Sequence, residues 1–147
     1  MKITGKYTIN ATTDILWQNI LNPRILEKTV PGIKTLEEKE TDAYTAISEV
    51  KVGPVRGVFK GDLYIKDKVE GKSCTVVLDQ KSKMGNAVAE IAVSLIADED
   101  GNTKVEYEGS ARISGMLARM GQRIIGGVVT TLAKQFFTAL EKEIKNQ

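Results

Sequence analysis

The chain has 147 residues, 41% hydrophobic and 27% charged, with a net charge of +2. That size and balance predict one globular domain over residues 1–147, with a core large enough to need no covalent staple, and no basic footprint for nucleic acid. Histidine is absent and Cys74 is the sole cysteine, which excludes an intrachain disulfide, a Ser–His or Cys–His nucleophile pair and the commonest metal ligand.

The opening MKITGKYTI alternates polar and apolar residues and lacks the apolar core of a signal peptide. Ile3, Gly5, Tyr7 and Ile9 share one side of this first strand. Thr12 or Thr13 then caps a short helix with Asp14 in its first turn and Leu16, Trp17 and Ile20 on one face. Asn22-Pro23 starts a second short helix, and Val30-Pro31-Gly32 stops it.

From Ile33 the period is two for about eighty residues. Tyr44, Ala46, Ser48, Val50 and Val52 line one side of a strand, and Gly53-Pro54 turns the chain. Phe59, Gly61, Leu63, Ile65 and Val69 take the inward positions of the next strand, before a hairpin at Glu70-Gly71-Lys72. Cys74, Val76, Leu78 and Gln80 follow, then a turn from Ser82 to Asn86, then Ala89, Ile91, Val93 and Leu95. Asp98-Glu99-Asp100-Gly101-Asn102 reads as a hairpin turn rather than a calcium loop. Val105, Tyr107, Gly109, Ala111 and Ile113 form the inward set of the last strand. Inward glycines at 5, 61 and 109 let the sheet bend.

Residues 115–145 read as one proline-free helix with a stripe of Leu117, Met120, Ile124, Val128, Leu132, Phe136, Leu140 and Ile144. It predicts a rod of about 45 Å that must bury its stripe against something large. Gly121, Gly126 and Gly127 interrupt it, each costing up to about 1 kcal/mol against alanine. Either the helix packs tightly on the sheet there, or room is left for a ligand. The class is therefore α+β: a seven-stranded curved antiparallel sheet wrapped around a long C-terminal helix, with two short helices between the first two strands.

An order of elements like this resembles the helix-grip fold of the START-like superfamily. Trp17, Pro31-Gly32, Val52-Gly53-Pro54-Val55-Arg56-Gly57 with Phe59 and Gly61, Gly85-Asn86-Ala87, Gly115-Met116-Leu117-Ala118 with Gly121 and Arg123, and Phe136-Phe137 are together similar to the CoxG family of carbon monoxide dehydrogenase subunits. The resemblance covers nearly the whole chain. It implies a non-catalytic protein that recruits a molybdenum carbon monoxide dehydrogenase to the membrane or assembles it. It also implies a space between helix and sheet for a hydrophobic molecule such as a lipid, fatty acid or isoprenoid quinone. Many members carry a tail beyond the fold; this sequence stops at Gln147, just after the helix. The expected location is cytoplasmic, with any membrane contact peripheral to the inner face.

The residues themselves point to the same class. The inward positions Val52, Phe59, Leu63, Val76, Leu78, Ile91 and Val93 are apolar, and Trp17 joins them from the first helix. Met84, Met116 and Met120 are flexible enough to fit an irregular ligand. Gly121, Ile124 and Val128 complete the expected lining, with its mouth beside the Gly53-Pro54 and Met84-Gly85 turns. Arg56, Tyr107, Gln80 and Arg123 are the candidates to orient a polar group. No catalytic residue, metal site or cofactor is expected, because nearly every carboxylate alternates outward, Asp67 excepted. Two other readings stay open: a cyclase- or hydrolase-like enzyme, which needs an inward acid or base, and a structural adaptor with a filled core.

Overall fold

The computed structural model describes residues 1–147. Strands β1 (Lys2–Ile9), β2 (Ile33–Glu40), β3 (Ala43–Val52), β4 (Val55–Val69), β5 (Ser73–Ser82), β6 (Gly85–Ala97) and β7 (Thr103–Ile113) form one antiparallel sheet of order β1-β7-β6-β5-β4-β3-β2. Helices α1 (Thr13–Ile20) and α2 (Pro23–Thr29) link β1 to β2, and α3 (Gly115–Arg119) and α4 (Gln122–Lys145) follow β7. Tight turns make β2 to β7 a meander, and β1 closes onto β7 in register from Lys2↔Ser110 to Ile9↔Thr103.

The local signals act as their chemistry predicts. Thr12 Oγ1 accepts the Ile15 amide at 3.4 Å, and Asn22 Oδ1 accepts the Arg24 amide at 2.9 Å ahead of α2. Asp98 Oδ1 accepts the amides of Asp100 and Asn102, each at 2.9 Å, which ties the β6–β7 turn together. Sheet curvature rests on close strand approach. A Cβ on Gly61 would lie 1.9 Å from the Asp79 carbonyl oxygen, and one on Gly109 2.1 Å from that of Glu90.

Two expectations change. The C-terminal rod is broken: Gly121 takes φ +87°, a left-handed value closed to most L-residues, and separates α3 from α4. The break rotates the stripe. Ile125 is 6% exposed while Ile124 is 44% exposed, and the buried face of α4 runs through Ile125, Val128, Phe137 and Leu140. Val69 also leaves the inward set. Asp67 takes φ +53°, the β4–β5 register shifts between Lys66 and Val69, and Val69 is 50% exposed.

The helical glycines are not tight contacts either. A Cβ on Gly126 would meet only the Met1 Cε at 3.8 Å, and one on Gly127 would meet nothing within 4 Å. Gly126→Ala and Gly127→Ala should therefore each stabilise the protein, by about 0.5–1 kcal/mol, through helix propensity alone. Urea unfolding of the two variants measures this; a loss of stability in either would mean that the helix lies closer to its neighbours than described.

Candidate ligand-binding cleft

Among the strands, the backbone of α4 comes closest to β1 and β3; the middle of the sheet, β4 to β6, lies further off. Two larger packed clusters seat the two ends of the helix, and a third, Ile3, Ala89 and Ala111, meets Val129 between them with Leu78 and Ile91 at its margin. Towards the C-terminus of α4 lie Ile9, Leu16, Ile65, Val93, Leu95, Val105, Phe137 and Leu140, with Trp17, Val76, Ile91 and Tyr107 at the margin. The Phe137 ring stacks on Tyr7 at 5.4 Å and Tyr107 at 6.1 Å, and meets Phe136 edge-on at 5.1 Å. This aromatic group closes that end. Towards the N-terminus of α4, Val55, Phe59, Leu117, Ile125 and Val128 pack together, fringed by Val52, Met84 and Met120.

Between the clusters the concave face is not fully covered. Leu63 stands opposite Leu78, and Val76 opposite Ile91, all mid-strand and facing α4. All four remain half-buried, whereas Tyr44, Ala46, Ala89 and Ala111 on the same face are buried. Val129, Leu132 and Phe136 of α4 are half-buried too. The centre of the sheet thus keeps a strip of aliphatic surface that water can reach, at a place where an antiparallel sheet under a helix normally buries its apolar side.

Polar groups at this strip are few. Gln80 donates its Nε2 hydrogen to the Asp62 carbonyl at 3.0 Å, reaching across Gly61. Tyr107 lies over Gly5, whose absent Cβ would fall 2.2 Å from its hydroxyl oxygen, so the hydroxyl heads towards β1 rather than over β4 to β6. Burial raises its pKa. One carboxylate that alternation did not flag shares the face of Tyr44: Glu38, exposed on the edge strand β2, pairs with it in register. Tyr44 is 3% exposed, and burial, followed by the charges of Glu38 and Asp42, pushes its pKa up to about 12. A phenol held protonated to that degree donates a hydrogen bond and does not serve as a base.

Other candidates sit elsewhere. Arg56 is on the outer, solvated side of β4, where its Nε donates to the Gly53 carbonyl at 3.4 Å. Arg123 and Gly121 are exposed, Met116 is 53% exposed, and none of these or Ile124 faces the strip. Val52, Phe59, Met84, Met120 and Val128 meet in the N-terminal cluster, so the space next to the Gly53-Pro54 and Met84-Gly85 turns is occupied by side chains. Surface depressions of about 390 Å³ each occur on the outer side of β1, β6 and β7, around Thr4, Ala92, Ser94 and Glu106, and beside α2 at Glu27 and Ile33 to Leu36. Neither lies between helix and sheet.

Cys74 is 5% exposed, and burial lifts its thiol to about 11 despite the lowering effect of Lys68. Its native pKa is above the unfolded one, so the stability this contributes is complete below about pH 9 and is lost as pH rises towards 11. Tyr44 acts in the same direction one unit higher, from 10 to about 12. Native Cys74 should therefore react with a maleimide at pH 7 only at the rate of opening, and unfolding midpoints should fall between pH 9 and 11. Fast, stoichiometric labelling of the folded protein at pH 7 would contradict this placement.

The profile of the CoxG family of carbon monoxide dehydrogenase subunits matches residues 5–145. No curated protein matches the chain. Among solved structures, a conserved protein from Geobacillus kaustophilus superposes with a TM-score of 0.95 at 27% identity, covering 99% of this chain and 96% of that one. A START superfamily protein from Mycobacterium smegmatis gives a TM-score of 0.74 at 11% identity, over 99% and 97% of the two chains. The Zhui aromatase/cyclase from Streptomyces sp. R1128 gives 0.69 at 10% identity, over 99% and 93%. These likenesses identify the fold as START-like helix-grip.

Proposed function

We propose, because this chain belongs to the CoxG family of carbon monoxide dehydrogenase subunits, that it is a non-catalytic carrier which holds a long apolar molecule, lipid- or quinone-like, between α4 and the concave face of β4 to β6. The family and the START-like fold support a hydrophobic-ligand-binding domain in general terms. The observation that carries the finer reading is the half-buried strip of Leu63, Val76, Leu78 and Ile91 at the centre of the sheet. Covering it would release roughly 25 cal/mol per Å² of apolar surface, and each methylene of a ligand placed there adds about 0.8 kcal/mol. Gln80 Oε1 has no protein partner and is the group placed to meet a polar ligand head. Met84 and Met120 at the N-terminal cluster can repack as α4 lifts to admit the chain.

In this reading the protein serves a molybdenum carbon monoxide dehydrogenase-type enzyme as carrier or assembly partner, in the cytoplasm. No helix is long and apolar enough to cross a membrane, and membrane contact is proposed as peripheral.

Organic extraction of the purified protein followed by mass spectrometry, with titration of a quinone and a fatty acid, tests the proposal. Leu78→Trp fills the strip and should weaken binding at least tenfold while leaving the unfolding midpoint within a few degrees. No extracted apolar molecule, no binding on titration and no effect of Leu78→Trp would leave a structural adaptor.

A further inference from the structure

On the outer face of the sheet, away from α4, β4 and β5 set like charges directly against each other. Lys60 stands opposite Lys81, and two residues further along Asp62 stands opposite Asp79. Opposed side chains of an antiparallel pair lie about 5 Å apart at Cβ, where like charges repel. All four are exposed, and the protein's nine ion pairs include none of them. Most other charges on this face are matched within the chain: Lys66 with Glu90, Lys51 with Glu49, Lys104 with Glu106 and Lys2 with Glu108. The unpaired remainder are Arg56, Lys83 and Arg112 near the Gly53-Pro54 and Lys83-Met84 turns, and Lys6 and Glu40 on the edge strands. Two large apolar side chains share the face with the opposed charges. Val58, three residues before Gly61, is 53% exposed, and Tyr64, three residues after it, is 39% exposed.

We infer that this face joins two copies of the chain in a two-fold dimer. An axis lying along the sheet and crossing the strands at Gly61 and Gln80 exchanges the two charged rows. It sets Lys60 and Lys81 of one copy over Asp62 and Asp79 of the other, and the reverse. The same axis lays Val58 on Tyr64 of the second copy and Ile47 beside its Thr45, and brings Arg56 over its Lys66–Glu90 pair. A two-fold contact needs a surface complementary to itself. Charges that repel within one chain and attract between two meet that condition. A partner of one sign, such as an anionic surface or a basic peptide, would satisfy one row and repel the other. The face is convex, so the contact is a strip over β3 to β5. Facing sheets cross at about 30°, which keeps the match closest at the axis. A strip of that kind is smaller than the interface of a permanent complex and gives a weak, reversible dimer. The cleft and α4 remain on the two outer sides of the pair, so the inference stands apart from the carrier reading.

The test is analytical ultracentrifugation of the full chain from about 1 µM to about 1 mM, the range of weak association. A monomer–dimer equilibrium is expected, and it should shift towards monomer as salt is raised. Lys60→Asp/Lys81→Asp makes all four positions acidic, and Asp62→Lys/Asp79→Lys makes all four basic. Each variant alone should dissociate at least about tenfold more readily than the parent. Mixed in equal amounts, the two should pair with each other more tightly than the parent pairs with itself, since every opposed charge then attracts. Val58→Ser/Tyr64→Ser should also weaken the dimer, without altering its salt dependence. Lys142→Gln/Lys145→Gln, on α4 and away from this face, should change dissociation less than about twofold. Melting of each variant close to the parent's is expected, because all these side chains except Tyr64 and Val58 end in solvent. The inference is overturned by a monomer across the whole range, by a dimer that survives both charge reversals, or by a mixture of the two reversed variants that stays monomeric.

Discussion

Gly109→Ala should destabilise the protein by about 3 kcal/mol, the upper end of the usual cost of overpacking. The new Cβ would fall 2.1 Å from the Glu90 carbonyl oxygen, 2.7 Å from the Ile91 Cα and 3.0 Å from the Glu90 carbonyl carbon. All three are backbone atoms of β6 and cannot swing aside as a flexible side chain could. Relief requires β6 and β7 to flatten against each other, and this disturbs the seat of Ile3, Ala89 and Ala111 beneath α4. At about 2–4 °C per kcal/mol for a chain of this size, the melting temperature should drop by roughly 6–12 °C. Gly61→Ala should behave alike, since its Cβ would lie 1.9 Å from the Asp79 carbonyl oxygen. Losses under about 1 kcal/mol in both variants, within the range of ordinary surface substitutions, would show that the sheet is less sharply bent than these contacts require.

Leu140→Ala should cost about 3–4 kcal/mol, and Ile124→Ala less than about 1 kcal/mol. Both residues belong to the apolar stripe that the helical period draws along residues 115–145. Leu140 is 0% exposed, in the cluster with Ile9, Leu16, Val105 and Phe137, so truncation leaves a cavity whose walls are already packed. Ile124 is 44% exposed and loses little. Denaturant unfolding of the two variants reads the rotation of α4 directly. Equal costs would mean that the break at Gly121 does not turn the stripe as described.

These variants separate local from tertiary causes. Alternation of side chains along a strand is local geometry, so the inward residues of β1 and of β3 to β7 were legible apart from Val69. That exception depends on one left-handed residue, Asp67, inserted without glycine or a turn signal. Caps at Thr12 and Asn22 and the Asp98 turn were legible for the same reason: each is made by a side chain bonding its own neighbourhood. The pairing of the exposed Glu38 with Tyr44 was not, because the register of β2 on β3 slips at both ends of the strand.

The candidate cleft divides in the same way. Composition and pattern alone determined that the concave face is aliphatic and that histidine and clustered ligands are absent. They also placed Leu63, Val76, Leu78 and Ile91 on that face. Only the tertiary structure decided which of these the helix leaves uncovered, because coverage depends on where the packed clusters at its two ends hold α4 above the sheet. It also decided that Ile124 turns out and Ile125 in, since the φ of a single glycine sets the helix phase and periodicity is blind to it. Which turns share an end belongs to the structure as well: successive turns of a meander alternate ends, so residues far apart in sequence share a surface only once the strands are paired.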